Sequence, residues 1–414
     1  MRKSLPAIGL NHDAIFAQMT AMTAHDADWR RGRIPLYVFK GNETVGEIGR
    51  DAFVRFFNEN GLGGKRAFLG LKKMEDEVLE IGMTLFRAPG DAAGYFTTGG
   101  SESIIVAVKA CRDFARKRRG NPRLRGNLVM PYSAHPAFTK AAMLMDLETR
   151  RVPVATDYRA DIAAMEQAID GDTLMLVGSA PCFPYGTIDP ITELGELAQR
   201  RDLWLHVDAC VGGYIAPFAA KAGYAIPEFD FSIPGVMSLS ADLHKFGFCP
   251  KPASTIFYRS ADAAGFQPFD VDDWPGGRFT TATIAGTRPG GAIAGAWATR
   301  HAMGEEGYVN TAGQIMEVAR AYRRDVEASG LQVIGEPDLS ILAFTSREVD
   351  MHAVSEGMAR RGWVPGVVRQ PFGLHLMLSM LHAPAREDYI RDLRSALDEA
   401  RTSGIHRVGT DASY

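Results

Sequence analysis

Residues 173–210 read TLMLVGSAPCFPYGTIDPITELGELAQRRDLWLHVDAC. Two short apolar runs, 173–180 and 203–210, are bounded by turn residues and are typical of buried strands. Between them, ITELGELAQRRD (191–202) has apolar residues at helical spacing, which predicts an amphipathic helix. A strand, a helix and a second strand in this order predict two parallel strands of an α/β sheet.

The same alternation continues on the N-terminal side of this stretch. NLVMP (127–131) is another buried-strand pattern, and SESIIVAVKACRDFARKRRG (101–120) predicts a helix capped by Ser101 and ended by Gly120. LKKMEDEVLEIGMTLFRA (71–88) predicts a helix with one apolar face. The spacing therefore predicts an α/β protein with a mostly parallel sheet in a large domain.

A glycine-rich junction, TIAGTRPGGAIAGAW (283–297), precedes a C-terminal part with its own strand and helix patterns. A long helix is predicted over 305–329, followed by strand, helix, strand and helix up to residue 404, which together predict a smaller α+β domain. The predicted divisions are an N-terminal segment (1–58), a large domain (59–295) and a small C-terminal domain (296–414).

Composition excludes several classes of function. The 414 residues are 46% hydrophobic and 23% charged with a net charge of -3, so no excess of positive charge predicts binding to nucleic acid or an anionic membrane. No signal-peptide pattern and no apolar run of membrane-spanning length are present. The four cysteines are scattered without a CxxC pair, which predicts a reducing, cytoplasmic location. No metal site is predicted.

Two motifs place a charged side chain next to an apolar run. In SLSADLHKFGF (238–248), Lys245 has small and apolar neighbours, and a lowered pKa is what an imine-forming lysine needs. Taken alone, a salt-bridged, partly buried lysine is the commoner explanation. Asp208 ends the strand pattern in HVDAC (206–210), where open α/β sheets bind ligands, although an aspartate that caps the following turn explains it equally well.

Two further motifs precede helices. YFTTGGSES (95–103) predicts a phosphate site at a helix N-terminus, and it matches neither the dinucleotide fingerprint nor a Walker loop. A plain glycine-rich turn is an equal explanation. His135 in SAHPAF (133–138) follows a predicted strand, and a turn histidine is the commoner role for such a residue.

Together, the four motifs supply what pyridoxal 5′-phosphate requires of a protein. Gly99–Ser101 would anchor a phosphate, His135 would stack on a ring, Asp208 would keep a ring nitrogen protonated, and Lys245 would supply the amine. We therefore predict pyridoxal 5′-phosphate as the cofactor.

The sequence resembles the sphingosine-1-phosphate lyase family of pyridoxal-phosphate enzymes, which has fold type I and is close to the group II amino-acid decarboxylases. The similarity covers residues from about 36 to 401. The stretches that carry it are TTGGSESIIVAVKACRD, SAHPAFTKAA, FPYGTIDP, LHVDACVGG, SLSADLHKFGFCPK and TIAGTRPGGAIAGAW. The resemblance implies a homodimer with sites at the subunit interface.

The resemblance also implies a role for individual residues. Lys245 would bind the cofactor covalently, Asp208 would contact the pyridine nitrogen, and His135 would stack on the ring. The cofactor phosphate would be held by Gly100, Ser101, Ser240 and His244, with Gly286 and Thr287 from the partner subunit. Tyr37 and Lys251 match positions that contact the phosphate of the substrate, although a surface lysine explains Lys251 equally well without the family.

The activity implied is cleavage of the C2–C3 bond of a phosphorylated sphingoid base, which yields a fatty aldehyde and phosphoethanolamine. Tyr37, His135 and Lys245 are all candidates for the base that acts on the C3 hydroxyl. The alternative is a decarboxylase of an aromatic or acidic amino acid, because loss of carbon dioxide needs the same cofactor set.

The sequence departs from the family at two places. The usual Asn-Pro-x-His-Pro segment is replaced by NENGLGGKRAFLG (58–70), in which Lys65 or Arg66 would supply the missing positive charge. The membrane anchor of the eukaryotic members is absent, which is consistent with a soluble bacterial form.

Overall fold

A computed structural model describes residues 2–403 of the chain. The helices in this part are α1 (His12–Met22), α2 (Glu43–Arg55), α3 (Leu69–Leu85), α4 (Gly100–Arg118), α5 (Ala137–Met145), α6 (Ile162–Ala168), α7 (Ile191–Arg201), α8 (Ala216–Lys221), α9 (Ala261–Ala264), α10 (Gly290–Ala328), α11 (Met351–Arg360) and α12 (Arg386–Ser403). The strands are β1 (Ala93–Thr97), β2 (Asn127–Pro131), β3 (Glu148–Val152), β4 (Thr173–Ser179), β5 (Trp204–Asp208), β6 (Val236–Ala241), β7 (Ser254–Tyr258), β8 (Phe269–Val271), β9 (Phe279–Thr281), β10 (Gln332–Val333), β11 (Ile341–Thr345), β12 (Gly366–Arg369) and β13 (Phe372–Met377).

The main sheet has seven strands in the order β1-β7-β6-β5-β4-β2-β3. β7 is antiparallel to both of its neighbours, and the other six strands run in one direction. This confirms the predicted α/β class and the mostly parallel sheet. The strands predicted at 127–131, 173–180 and 203–210 correspond to β2, β4 and β5.

The sheet is covered on both faces, which explains why its central strands are mostly apolar. Every residue of β4 and β5 is buried. One face packs against α4 and α5, and the other face packs against α3, α7, α8 and α10. Because helices cover both faces, neither face of a central strand meets water, and mostly apolar runs without polar alternation result.

Helix α10 begins earlier than the sequence pattern predicts. It extends from Gly290 and has one break, at Gly304 (φ 57°, ψ 176°), next to the predicted start at residue 305. Gly291 and Gly295, which precede the break, lie within the helix and allow neighbouring residues to pack closely against it. A Cβ at Gly291 would lie 2.5 Å from the Phe53 carbonyl oxygen, and a Cβ at Gly295 would lie 2.9 Å from Cγ of Pro250.

The C-terminal part contains a separate four-stranded antiparallel sheet in the order β10-β11-β13-β12. Helices α11 and α12 pack with this sheet around their own apolar core. The predicted strands and helices are present, while the short strands β10 and β12 were not predicted. Residue 1 and residues 404–414 of the predicted divisions lie outside the described part of the chain. No helix between residues 2 and 403 is both long and apolar enough to cross a bilayer.

Candidate active site

The carboxyl ends of four parallel strands meet at one edge of the main sheet. β2, β4, β5 and β6 end there, and Ser179 at the end of β4 lies opposite Asp208 at the end of β5. A cavity of about 690 Å³ opens at this edge. Its walls include four residues that the sequence singled out, namely Tyr37, His135, Asp208 and Lys245.

Lys245 follows β6 and reaches the cavity, where its Nζ lies 2.9 Å from Oδ2 of Asp242. Asp242 is buried three residues earlier in the same turn, and the Lys245 N–H donates to its carbonyl at 3.2 Å. Burial lowers the pKa of Lys245, but the Asp242 carboxylate more than offsets burial, so that the net pKa is raised. The charge of the free amine is therefore paired and not lost, as in the salt-bridged alternative that the sequence left open.

The carboxylate of Asp208 lies in the cavity wall, and one of its two oxygens already accepts a hydrogen bond from the protein. It is 7% exposed, and its Oδ1 accepts from the Cys210 N–H at 3.1 Å. His206, on the same strand, is fully buried and hydrogen-bonded through both ring nitrogens, to Ser238 at 2.7 Å and Ser240 at 3.1 Å. These contacts fix the strand beneath the carboxylate and leave Oδ2 of Asp208 as the oxygen that can accept from a ligand.

The His135 ring forms part of the cavity wall in a defined tautomer. Its Nδ1 accepts from the Ala137 N–H at 3.1 Å, so the proton of the neutral ring is on Nε2. Although the ring is accessible through the cavity, the surrounding protein desolvates it. Burial lowers the pKa of His135, and the nearby Asp208 carboxylate partly opposes this effect. A neutral, flat ring at this position is suited to stacking.

The glycine-rich loop brings the start of α4 close to the lysine turn. The helix begins at Gly100 with Gly99 at the N-cap, so Ser101 lies in the first turn and is not the cap that the sequence predicts. A Cβ at Gly100 would lie 2.7 Å from Cys210 Sγ and 2.9 Å from Asp242 Oδ2. Only a glycine therefore permits this close approach, which leaves the helix N-terminus facing the site.

His244 lies beside the same loop. A Cβ at Gly99 would be 3.6 Å from its Cε1, and its Nδ1 accepts from the Ala253 N–H at 3.1 Å. Burial lowers the pKa of His244, and Asp242 partly opposes this. The neutral ring therefore carries its proton on Nε2, which leaves one donor for an anion at the start of the helix.

Glu102 fixes the position of this loop. One carboxylate oxygen accepts from the Thr98 N–H at 2.7 Å and from the Thr98 hydroxyl at 2.8 Å. The other oxygen accepts from the Ile284 N–H at 2.8 Å. A single buried carboxylate thus joins the glycine-rich loop to the segment that precedes Gly286 and Thr287.

Pyridoxal 5′-phosphate fits the groups that the cavity leaves without partners. The Ser133 and Ser179 hydroxyls line the cavity, are buried and have no hydrogen-bond partner, and Oδ1 of Asp242 also lacks one. Unpartnered buried polar atoms are costly, and a ligand with polar ring substituents would satisfy them. With the amine of Lys245, Oδ2 of Asp208 and the amides of the helix N-terminus, the donor set matches this cofactor.

Tyr37 lines the cavity, and Lys251, which lies outside its walls, contacts Tyr37. Nζ of Lys251 donates to the Tyr37 carbonyl at 2.6 Å, and the Tyr37 backbone is in the left-handed region at φ 59°. Burial and the nearby charge of Lys245 lower the pKa of Lys251. The lysine is therefore close to the site, as a substrate-binding role requires.

Other predicted residues do not line this cavity. Ser240 is fully buried, and its hydroxyl accepts from Cys210 and bonds His206, which places it one layer below the expected phosphate. Lys65 lines a separate cleft, and Arg66 is exposed beside it. Gly286 and Thr287 lie near Leu62 and Asn60, outside the walls of the cavity in their own chain.

Asp242, Ser179 and Arg151 are among the polar groups at the site that were not predicted from the sequence. Asp242 stands inside the SADLHK motif, and its i, i+3 spacing from Lys245 could have indicated it. Ser179 ends an apolar strand as Asp208 does, so the same signal applies. Arg151 lines the cavity and donates to the carbonyls of Tyr132 and Ala134, both at 2.9 Å, but its strand pattern carries no comparable signal.

Comparisons with known proteins identify the family. A model of the pyridoxal-dependent decarboxylase conserved domain matches residues 70–347. The sphingosine-1-phosphate lyase of Oryza sativa subsp. japonica is 38% identical over 411 residues, which are 97% of this chain and 76% of that protein. A probable L-tyrosine/L-aspartate decarboxylase of Methanothermobacter thermautotrophicus is 34% identical over 322 residues, which are 78% of this chain and 86% of that protein.

A solved structure extends the similarity to three dimensions. The sphingosine-1-phosphate lyase of Burkholderia pseudomallei superposes with a TM-score of 0.92 at 34% identity, covering 97% of this chain and 94% of that one. Sequence relatives and this structure together confirm the resemblance, the fold type and the cofactor class. The chain belongs to the sphingosine-1-phosphate lyase family of pyridoxal-phosphate-dependent enzymes.

Proposed function

We propose that this enzyme cleaves the C2–C3 bond of a phosphorylated sphingoid base. The products are a fatty aldehyde and phosphoethanolamine. The C3 hydroxyl loses its proton as its oxygen becomes the aldehyde carbonyl, and the electron pair of the broken bond remains on C2, which is then protonated. Bound pyridoxal 5′-phosphate supplies an electron sink for that pair.

The observation that carries the proposal is a pair of cations without counterions, one in the cavity wall and one beside it. Arg151 lines the cavity, and Lys251 contacts Tyr37, which is part of the wall. Within residues 2–403, neither side chain has a carboxylate within 4.0 Å. Two unneutralised cations favour a substrate with an anionic group besides those that the cofactor site accommodates, which supports a phosphorylated substrate.

The geometry also supports a division of roles among the remaining residues. Oδ2 of Asp208 would accept from the ring nitrogen, and His135 would stack on the ring as a neutral imidazole. The helix N-terminus at Gly100 and Ser101, with Nε2–H of His244, would hold the cofactor phosphate. Lys245 would hold the cofactor covalently, and Asp242 would neutralise its ammonium whenever the amine is free.

Two of the three candidate residues remain suited to act as the base on the C3 hydroxyl. His135 is less suited to the role because its Nδ1 already accepts from Ala137 and its Nε2 carries the proton. Tyr37 remains a candidate, since it lines the cavity. Lys245 remains a candidate once substrate has released its amine.

Amino-acid decarboxylation is the second candidate function. The similarity to a probable L-tyrosine/L-aspartate decarboxylase favours it. Decarboxylation would also use Lys245 and Asp208, so the cofactor site does not separate the two reactions. The unneutralised cations Arg151 and Lys251 favour the lyase reaction, because its substrate has a phosphate group that they could bind.

Product analysis distinguishes these functions. Holoenzyme incubated with sphingosine 1-phosphate should release a fatty aldehyde and phosphoethanolamine, both detected by mass spectrometry. Tyrosine, aspartate and glutamate, tested in parallel, should release no carbon dioxide. Lys245→Ala is the control, and it should lose both the visible absorption of bound cofactor and all turnover. Decarboxylation without aldehyde formation would overturn the proposal.

A homodimer with shared sites accounts for residues that lie away from the cavity of their own chain. Helix α1 buries none of its residues, and its apolar residues Phe16 and Met19 are each 54% exposed. Ile284, just before Gly286 and Thr287, is 60% exposed. Exposed apolar surface at these places supports contact with a second copy, in which Gly286 and Thr287 would reach the partner's phosphate site.

Subunit mixing tests the shared site. Lys245→Ala and Thr287→Arg should each be inactive alone. Denatured together and refolded as a mixture, they should regain on the order of a quarter of the wild-type activity, since half of the dimers are mixed and each has one intact site. No recovery, with dimers present by light scattering, would argue against residues shared between subunits.

We also propose that the protein is cytoplasmic. All four cysteines are free and buried, and burial raises the pKa of Cys182 to about 11. Unpaired thiols are usual in reducing compartments. Fractionation of cells that express the tagged protein should recover it with the cytoplasmic markers.

A further inference from the structure

A second cavity lies between helices α3, α8 and α10. Its volume is about 960 Å³, and it shares no lining residue with the active-site cavity. Its walls are largely apolar and include Ile81, Leu85, Phe218, Ile226 and Phe229. Nothing in the proposed lyase reaction uses this space.

Arg300 lies in the wall of this cavity and has no counterion. The residue is 5% exposed, and its Nε and Nη1 are buried without a hydrogen-bond partner. Its guanidinium carbon lies 4.9 Å from the centre of the Tyr214 ring and 5.9 Å from that of Tyr308. Aromatic rings compensate a buried cation only in part, so a site of this kind favours an anion.

The other cations of this cavity are already neutralised. Arg87 pairs with Asp230 at 2.9 Å and with Glu228 at 3.0 Å, and Lys221 pairs with Glu305 at 2.7 Å. Arg87, Glu228, Lys221 and Glu305 have exposed side chains at the rim of the cavity. Glu80 is also at the exposed rim, and it is not within the 4.0 Å of Arg300 that would make an ion pair. One positive charge in the buried part of an apolar cavity therefore remains for a ligand.

We propose that this cavity binds a long-chain carboxylate. Its carboxylate would pair with Arg300, and its alkyl chain would follow the apolar wall towards Ile81, which is 36% exposed at the opening. A single unpaired cation matches one negative charge, and the apolar wall matches a hydrocarbon chain, whereas a nucleotide or polyanion would lack partners. This site is additional to the proposed lyase activity and does not depend on it.

Calorimetric titration of the holoenzyme with laurate tests the proposal. We expect saturable binding with one laurate per chain, and at least tenfold weaker binding in Arg300→Met. Lys221→Met is the matched control, because that lysine lies at the rim and is already paired with Glu305. Its laurate affinity should remain within a factor of two of the wild type.

Two ligand controls separate charge from hydrophobicity. Dodecyltrimethylammonium has the same chain length and the opposite charge, and it should not compete with laurate. Inorganic phosphate has charge without a chain, and it should not compete at millimolar concentration. Competition by either ligand, or the absence of saturable laurate binding, would overturn the proposal.

A second variant tests the same site without changing the buried residue Arg300, whose replacement could disturb the packing around it. Ile81→Glu changes a partly exposed residue of α3 and places a negative charge at the opening. It should weaken laurate binding at least tenfold while the melting temperature and lyase turnover remain near those of the wild type. Unchanged laurate affinity in Ile81→Glu would remove the cavity as the binding site.

Discussion

Nζ of Lys245 and Oδ2 of Asp242 are 2.9 Å apart, three residues apart in one turn, and Asp242 is 2% exposed. The lysine that would bind the cofactor is therefore held as a charged amine by its own chain before the cofactor arrives. A covalent bond to the cofactor removes that partner from Asp242. Nε2 of His244 lies 3.8 Å from the same oxygen, beyond hydrogen-bond distance, so its proton stays available to an anion at the start of α4.

Breaking this pair should destabilise the cofactor-free protein. Asp242→Asn leaves the ammonium without its counterion, and Lys245→Met leaves the carboxylate buried alone. Because Lys245 is partly accessible from the cavity, we expect each variant to lose about 2–3 kcal/mol of unfolding free energy, below the upper range for buried pairs. Urea unfolding of both single variants and the double variant measures the coupling. If the losses simply add to within about 0.5 kcal/mol, the pair is not coupled.

Replacing Asp208 by asparagine should impair turnover more than cofactor binding. The amide can retain the bond that Oδ1 accepts from the Cys210 N–H, but it would direct an NH₂ group towards the ring nitrogen in place of the carboxylate oxygen. A protonated ring nitrogen then loses its partner. We expect kcat at saturating cofactor to fall by about 10²- to 10⁴-fold, as for loss of a positioned acid–base group.

Asp202→Asn is the matched control for this prediction. Asp202 is exposed and pairs with Arg118 at 2.9 Å, and it precedes the start of β5, at the opposite end of that strand from Asp208. Its removal should leave kcat within a factor of two of the wild type. Wild-type turnover in Asp208→Asn would refute the assigned role of the carboxylate.

The sequence predicts the central fold well because helices cover both faces of the main sheet. β2, β4 and β5 are buried at every position and mostly apolar, with polar residues mainly at their ends, and such runs between turn residues are readable without a structure. The start of α10 was mispredicted because its glycines serve close packing against Phe53 and Pro250, a tertiary contact that local propensity does not contain.

Site residues were predictable to the extent that they end a strand or stand in a motif. Asp208, His135 and Lys245 come together because parallel strands end at one edge. Ser240 has a strand-end position as well, but the pleat turns its hydroxyl towards His206, below the cavity. Arg151 comes to the same cavity from β3, at the edge of the sheet, and its role depends on three-dimensional placement alone.

Replacing Lys251 should weaken binding of the phosphorylated substrate. Its Nζ is anchored on the Tyr37 carbonyl at 2.6 Å and has donors left for an anion. We expect Lys251→Met to raise KM for sphingosine 1-phosphate by about tenfold, the size of one charge-assisted hydrogen bond, with little change in kcat. Steady-state kinetics with varied substrate measures this split.

Two comparisons show whether the effect comes from the phosphate. Lys140→Met removes an exposed lysine from α5 and should leave KM unchanged. Inhibition by phosphoethanolamine should weaken in Lys251→Met, whereas inhibition by ethanolamine should not. A fall in kcat at constant KM would instead indicate a role for Lys251 in the reaction itself.

A buried histidine in the C-terminal domain should make stability depend on pH. His375 is fully buried on β13, and its Nε2 bonds the Phe183 carbonyl at 2.8 Å, while its Nδ1 has no partner. Burial lowers the pKa of His375 to about 4, against an ordinary value of 6.5. Between these values the unfolded chain binds the proton and the folded chain does not. Unfolding free energy must therefore rise with pH across this window and fall on acidification.

Unfolding by urea at fixed protein concentration measures this dependence. From pH 7.5 to pH 5, the single histidine should cost about 2 kcal/mol of stability, from the difference between its folded and unfolded pKa values. His375→Gln keeps a side-chain donor for the Phe183 carbonyl but does not titrate, so its loss over the same interval should be smaller by that amount. His301→Gln is the control, because His301 is exposed on α10 and its removal should leave the pH dependence unchanged. If His375→Gln and the wild type lose the same stability, His375 is not a proton-linked group and another residue, such as the equally buried His206, must account for the slope.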